Sequence, residues 1–435
     1  MTSVRERMPV ADRPCVDFLG QSAEFPLNRP SVSRQAAFWL VAYVLGVTNL
    51  GTAVPAPLYT LWQRQWHFSS GVVTLVFAVY AVAVLAVLLL AGRSSDQVGR
   101  KPVMAAALGC SAVSTALFIL ATNVGWLFAG RFFSGLSAGL MIGAATAGLT
   151  ELHRESEARC SSLVGAAAIM AGAGLAPLMA GLFAQYLPDP TVLVFEVYLG
   201  LLAIALLSLA LVPETVTRKQ RLTLRFEGLG TPPQGRGEFV AAGMAAFSAF
   251  ALTGLFTSLA PGFVSRVMHQ TNLALGGGAA FLLFAVACVT ALGLARFNSR
   301  PVIMTGLGLF LAGLALVVAG MGTASIGLFL GGTVVGGGAV GAMNMASLSM
   351  ANRLAPAEER GRVLSSYYVF AYTGLIIPVV GVGFAADAFG DFRATLGCAI
   401  GLATLCTGSA VLITGRGQRL AAAVRAGRHP ERRPA

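Results

Sequence analysis

Of the thirty Lys and Arg residues in the 435-residue chain, Arg131 is the one that falls inside a long apolar stretch rather than beside it. A guanidinium stays charged at any physiological pH. Holding it at membrane depth is expensive unless it faces protein or water, so its position predicts a functional group. The competing expectation is that it snorkels to the headgroups. The acid at a comparable depth is Glu196, about one turn in from the end of its own stretch. If the two face one cavity, protonation of Glu196 is linked to release of a partner or substrate from Arg131. They are the candidates for proton coupling, with a lipid-interface position as the alternative for Glu196. Glu151 and Asp387 fall at the ends of apolar stretches, where water reaches them.

Other chemistry has little to stand on. There is no GxxxxGK[ST] loop for a nucleotide. The four histidines, His67, His153, His269 and His429, are dispersed with no HExxH spacing, and no nucleophile elbow occurs. The six cysteines, Cys15, Cys110, Cys160, Cys288, Cys398 and Cys406, have no CxxC spacing and read as small apolar packing residues. The expectation is therefore no enzyme, no metal and no cofactor.

The elements that must position Arg131 are membrane helices. Hydrophobic residues make up 56% of the chain and charged ones 11%, far from the quarter or so charged in a globular protein. The net charge of +12 comes from basic residues gathered in short interruptions, with no polar surface on which to build a nucleic-acid reader. About 20 apolar residues cross the hydrocarbon core. Twelve stretches of that kind occur, the first Phe38–Leu58, the sixth Val192–Leu211, the seventh Val240–Leu259 and the last Thr395–Thr414. Placing the N-terminus in the cytoplasm puts 26 Lys and Arg on the inner side and 3 on the outer, the bias expected of an inner-membrane protein with both termini inside. Residues 1–34, with no apolar core for a cleavable signal, read as a cytoplasmic tail, so that the first span acts as its own insertion signal. Residues 35–212 form one six-span half and 239–414 the other. The basic, Gly- and Pro-containing segment 213–238 is a flexible cytoplasmic linker, and 415–435 a basic tail.

The halves repeat. Leu127, Phe128, Gly130, Gly135 and Ala138 recur 201 positions later as Leu328, Phe329, Gly331, Gly336 and Ala339, and Arg159 and Pro177 as Arg360 and Pro378. Lys101-Pro102-Val103 recurs 199 positions later as Arg300-Pro301-Val302. This predicts an all-α membrane protein of two pseudo-symmetric six-helix bundles around a central cavity.

Three motifs resemble those of the major facilitator superfamily, and the resemblance covers essentially the whole chain. Gly92-Arg93-Ser94-Ser95-Asp96-Gln97-Val98-Gly99-Arg100-Lys101 is similar to the family's GxxxDRxGRR loop, with Gln97 for the first Arg. Glycines there let helices turn tightly, and a fixed carboxylate pairs with Arg or a helix N-terminus. The resemblance makes Gly92, Asp96, Gly99, Arg100 and Lys101 a conformational latch, with Asp96 holding one half to the other in one conformation. The second-half copy, Ala295 to Pro301, has lost both the Asp and the Gly. Arg131-Phe132-Phe133-Ser134-Gly135 resembles the RxxxG motif. The segment around Gly172, Gly174, Pro177 and Gly181 resembles the GxxxGPxxGG motif of exporters, with Ala176 and Ala180 replacing two glycines; small residues there let helices pack closely whatever the direction of transport. Pro213-Glu214-Thr215 is also familiar from this group, and reads as a helix stop with a polar cap.

Polar and aromatic residues at mid-depth are candidates for the solute cavity: Asn49, Thr52, Tyr80, Thr253, Thr257, Asn344, Tyr368 and Tyr372. Each has an alternative as a helix-packing hydrogen-bonder. Together they describe a mostly apolar, weakly polar pocket suited to an amphipathic drug or metabolite. The expectation is a secondary transporter working by alternating access as a monomer, with a small-molecule substrate, protons as coupling ion, the bilayer as its partner and efflux as its direction. A proton-coupled uptake symporter and a non-transporting receptor on the same fold are the alternatives.

Overall fold

The computed structural model describes residues 32–92, 94–152, 158–216, 226, 228–259, 262–264 and 272–415. Both expected tails beyond these limits, and residues 217–225 and 227 of the expected linker, lie outside the described residues. Among the described residues twelve helices are long and apolar enough to cross a membrane, which confirms the expected span count. They are α1 (Arg34–Trp66), α2 (Ser70–Leu90), α3 (Arg100–Ile119), α4 (Val124–Leu152), α5 (Ala158–Tyr186), α6 (Pro190–Leu211), α7 (Arg236–Ser258), α8 (Leu273–Leu294), α9 (Ser299–Gly322), α10 (Ile326–Leu354), α11 (Arg360–Phe389) and α12 (Asp391–Ile413).

Several helices outrun their apolar stretches. α1 begins where the Ser33 hydroxyl accepts from the Ala36 amide at 3.2 Å and breaks at Val54, because Pro55 has no N–H to continue the ladder. It then restarts with Pro55 in its first turn, runs two turns past the hydrophobic run and ends at His67, which takes a left-handed φ of 52°. α4 and α10 likewise extend to Leu152 and Leu354. Polar residues at membrane boundaries still satisfy their backbones best by staying helical.

Consecutive helices alternate direction. One end of the bundle, here the proximal end, holds the start of α1, the α2–α3 loop and the finish of α12; the opposite end is distal. The first half has its own buried core, around Leu45, Tyr59, Trp62, Phe118, Leu127 and Phe195. The second half packs around Phe256, Leu283, Phe310 and Phe329, and its core also takes in Phe77, Ala81 and Val84 of α2. The halves meet along two helix pairs, α5 with α8 and α2 with α11. These pairs are the same contact seen twice, and Pro177 and Pro378 both lie inside their helices, as the repeat predicts.

Candidate solute pathway and gates

Arg131, one of the largest fully buried side chains, sits two turns inside the distal end of α4. Its Nε donates to the Tyr59 hydroxyl and its Nη1 to the Thr52 carbonyl, both on α1. That carbonyl belongs to the last turn of α1 before the break at Val54. Three rings surround the guanidinium carbon, with centroids at 5.3 Å for Tyr59, 5.6 Å for Phe77 and 5.7 Å for Tyr80. Within about 6 Å a ring face attracts a cation. Nη2 finds no protein acceptor among the described residues. Arg131 is therefore bound inside the first half rather than snorkelling.

Glu196 is not its partner. It lies on an exposed face of α6 beside exposed Val197, while Phe195 and Tyr198 of the same turn point inward. Every contact of Arg131 named above comes from α1 or α2. The reason is helical phase: Glu196 has the right depth but the wrong face.

The cavity candidates divide in the same way. Thr52 and Tyr80 gather at Arg131, Thr52 through its backbone carbonyl while its hydroxyl donates to the Asn49 carbonyl at 2.7 Å, and Tyr80 through its ring face. Tyr80 of α2 faces the seam from one half, and Tyr368 and Tyr372, one turn apart, are carried by α11, the helix that packs on α2 from the other. Phe250 packs edge-on to Tyr372 at 5.5 Å. Asn49, Thr253 and Thr257 instead bond back to their own helices, through Leu45, Ala249 and Thr253 carbonyls at 2.8, 2.9 and 2.7 Å. Asn344 keeps a buried Oδ1 with no donor among the described residues.

The latch residues form a compact network within the first half. Gly92 makes the turn out of α2, and a Cβ there would meet the Leu88 carbonyl at 2.9 Å. Asp96 pairs with Arg100 of the same half at 2.5 Å, and Arg100 reaches Glu151 of α4 at 2.7 Å and the Ser95 hydroxyl at 2.6 Å. Lys101 donates to the Ala210 and Val212 carbonyls at the end of α6. In this conformation Asp96 pairs within its own half, and among the described residues no ion pair joins it to the other.

The residue that organises the loop is Glu214, which sequence reading treats only as part of a helix stop. Its carboxylate accepts from the backbone amides of Arg100 at 2.9 Å, Lys101 at 3.1 Å, Thr215 at 3.0 Å and Val216 at 3.1 Å. An anion at the N-terminus of α3 satisfies amides that have no partner within the helix. Thr215 in turn donates to Glu151 at 2.5 Å.

The α5 motif works on two faces. Gly172 lies against the Gly46 carbonyl of α1, whereas Gly174 faces Phe284, and Pro177 and Gly181 face Gly277, all on α8. At the distal end the Gln185 side chain accepts from the Leu273 amide at 2.8 Å, capping α8. Asp387 does the same for α2, accepting from the Ser70 and Gly71 amides at 3.0 and 2.8 Å. Gln185 and Asp387 are 202 positions apart, as are Gly71 and Leu273. The two distal seals are one kind of contact made twice, one position out of the 201-residue register of α5 and α11, neutral in one and charged in the other; Asp387 is read from the sequence only as a helix-end acid, and Gln185 is not singled out.

Twelve helices in two repeated halves, with an embedded Arg and a distal closure between the halves, define a multi-pass membrane transporter. A family model described as Major Facilitator Superfamily matches residues 39–296, and the chain belongs to that family. Multidrug resistance protein MdtL of Citrobacter koseri is 26% identical over 338 residues, which are 74% of this chain and 79% of that protein. An uncharacterized transporter of Schizosaccharomyces pombe is 26% identical over 139 residues, 32% of this chain and 29% of its own. Among solved structures, a bacterial homolog of the human lysosomal transporter Spinster, inward-facing and unoccupied, matches with a TM-score of 0.66 at 14% identity, covering 88% of this chain and 94% of that one.

Proposed function

We propose that this protein exports small amphipathic organic molecules across the inner membrane by alternating access, coupled to protons, as a monomer with both termini in the cytoplasm. The observation that carries this reading is the pair of matched distal seals. Two copies of one contact closing one end imply a second state in which the halves rock the other way. The positive-inside bias makes the distal end the outer one, so the two seals join the halves on the outer side. Similarity to a multidrug resistance protein favours export, and the aromatic seam of Tyr80, Tyr368 and Tyr372 favours a solute with an apolar body.

The test is proton movement in reconstituted vesicles on addition of lipophilic cations, antibiotics or sugars. Substrate-dependent flux opposite in direction to the solute is the expected result. Arg131→Ala is expected to lower it at least tenfold, while Glu196→Gln, on an exposed face, leaves it within about twofold. Flux in the same direction as the solute would make the protein an importer, and no flux for any solute would end the coupled reading.

A further inference from the structure

From the surroundings of Arg131 we infer that the transported solute carries a single anionic group, which binds the free Nη2 edge of that guanidinium; this rests on the export reading above. Arg131 is completely buried, and Nη2 has no protein acceptor among the described residues. Its neighbours supply a hydroxyl, a carbonyl and ring faces but no carboxylate. A buried charge without a counter-charge is costly, and proteins normally neutralise it by pairing. Of the eighteen Asp and Glu residues in the chain, Glu196 alone falls within an apolar stretch away from its ends, and it is exposed. Among the described residues none of the chain's own acids partners Arg131 at this depth. A carboxylate on the solute would supply one, and guanidinium is the side chain best shaped to hold it.

The surroundings also describe the rest of the solute. Tyr80 stands over Arg131 and belongs to α2, the helix that packs on α11 with its Tyr368 and Tyr372, so the ring faces around the cation lie on the first-half side of the seam. A flat apolar body would lie on those rings with its acid turned to Arg131. The class is an aromatic or amphipathic organic monoanion, as distinct from a lipophilic cation, which Arg131 repels.

The probes are three molecules of one shape: 2-naphthoate, neutral 2-naphthamide and cationic 2-naphthylmethylamine. Thermal unfolding of the purified full chain reads their binding, and counterflow in proteoliposomes reads their transport. The midpoint is expected to rise most with naphthoate, whose affinity exceeds that of the amide about tenfold or more. In Arg131→Met that preference vanishes while the amide's shift persists, which shows a folded pocket. Arg131→Lys, keeping the charge without the fork, restores part of the preference. Equal response to acid and amide, a stronger response to the amine, no response to any of the three, or an acid preference that survives in Arg131→Met would each overturn the assignment. Counterflow of the amine or amide without acid preference would leave export standing while ending the anion site. Naphthoate binding without counterflow would sink transport and leave the site.

Discussion

At the scale of single residues, Gly99 and Glu214 form one device. Gly99 has a φ of +120°, a conformation that residues with a Cβ rarely adopt, and a Cβ there would stand 2.6 Å from a Glu214 carboxylate oxygen. The glycine thus turns the chain and lets the carboxylate reach the α3 amides. Glu214→Ala leaves those amides without their acceptor and is expected to cost about 2 kcal/mol, read as a lowered unfolding midpoint. Gly99→Ala should cost a similar amount through strain. An unchanged midpoint in both would show that the loop does not depend on this cap. The sequence made the loop's glycines and charges legible because they follow one another within eleven positions. Glu214 lies 114 positions beyond Arg100, and nothing in Pro213-Glu214-Thr215 says which helix end it meets. The same limit hid Tyr59: its hydroxyl is legible as polar, but its pairing with Arg131 depends on the phase of α1 against α4.

At the scale of elements, α5 is the helix that both halves share. Gly172 packs against α1 within the half, and Gly181 packs across the seam, where a Cβ would lie 3.2 Å from Gly277 Cα and 3.1 Å from the Leu273 carbonyl. The sequence shows small residues in series and therefore close packing, but a helix has several faces and the partner of each depends on tertiary placement. The two faces are expected to fail differently. Leu at Gly277 of α8 overpacks the seam by about 1–3 kcal/mol, which shifts the molecule away from the distal-closed state while each half stays folded. Spin labels at Tyr186 and Asn272 should then move apart. Leu at Gly172 overpacks the α1–α5 contact by a similar amount and should lower the unfolding midpoint without lengthening that distance. If both variants lower the midpoint equally and neither moves the labels, α5 is a packing helix on both faces and has no part in gating.

At the scale of the whole molecule, the spacing of apolar residues settles the number of spans, and the recurrence of Arg159 and Pro177 as Arg360 and Pro378 settles their division into halves. Long apolar runs are readable because a bilayer leaves the backbone few alternatives to a helix. Which end stands closed was not readable, because an alternating-access chain encodes both states and the difference between them is small. The asymmetry of the distal seals bears on that difference. Asp387 presents a full negative charge to the N-terminus of α2, whereas its repeat mate Gln185 presents a neutral amide to α8. A charge at an exposed helix N-terminus contributes about 0.3–1 kcal/mol, so Asp387→Asn should raise the distal-open population about two- to fivefold. Gln185→Glu places a charge at the other seal and should lower that population by a similar factor. Because the seals are related by the repeat, the combined exchange of both residues should return the population close to that of the parent protein, as expected for sites far enough apart to act additively. Distances between labels at the distal ends of α2 and α11, and of α5 and α8, measure each population directly. Opening at one pair without the other would mean that the two seals act as separate latches rather than as one closure made by rocking of the halves.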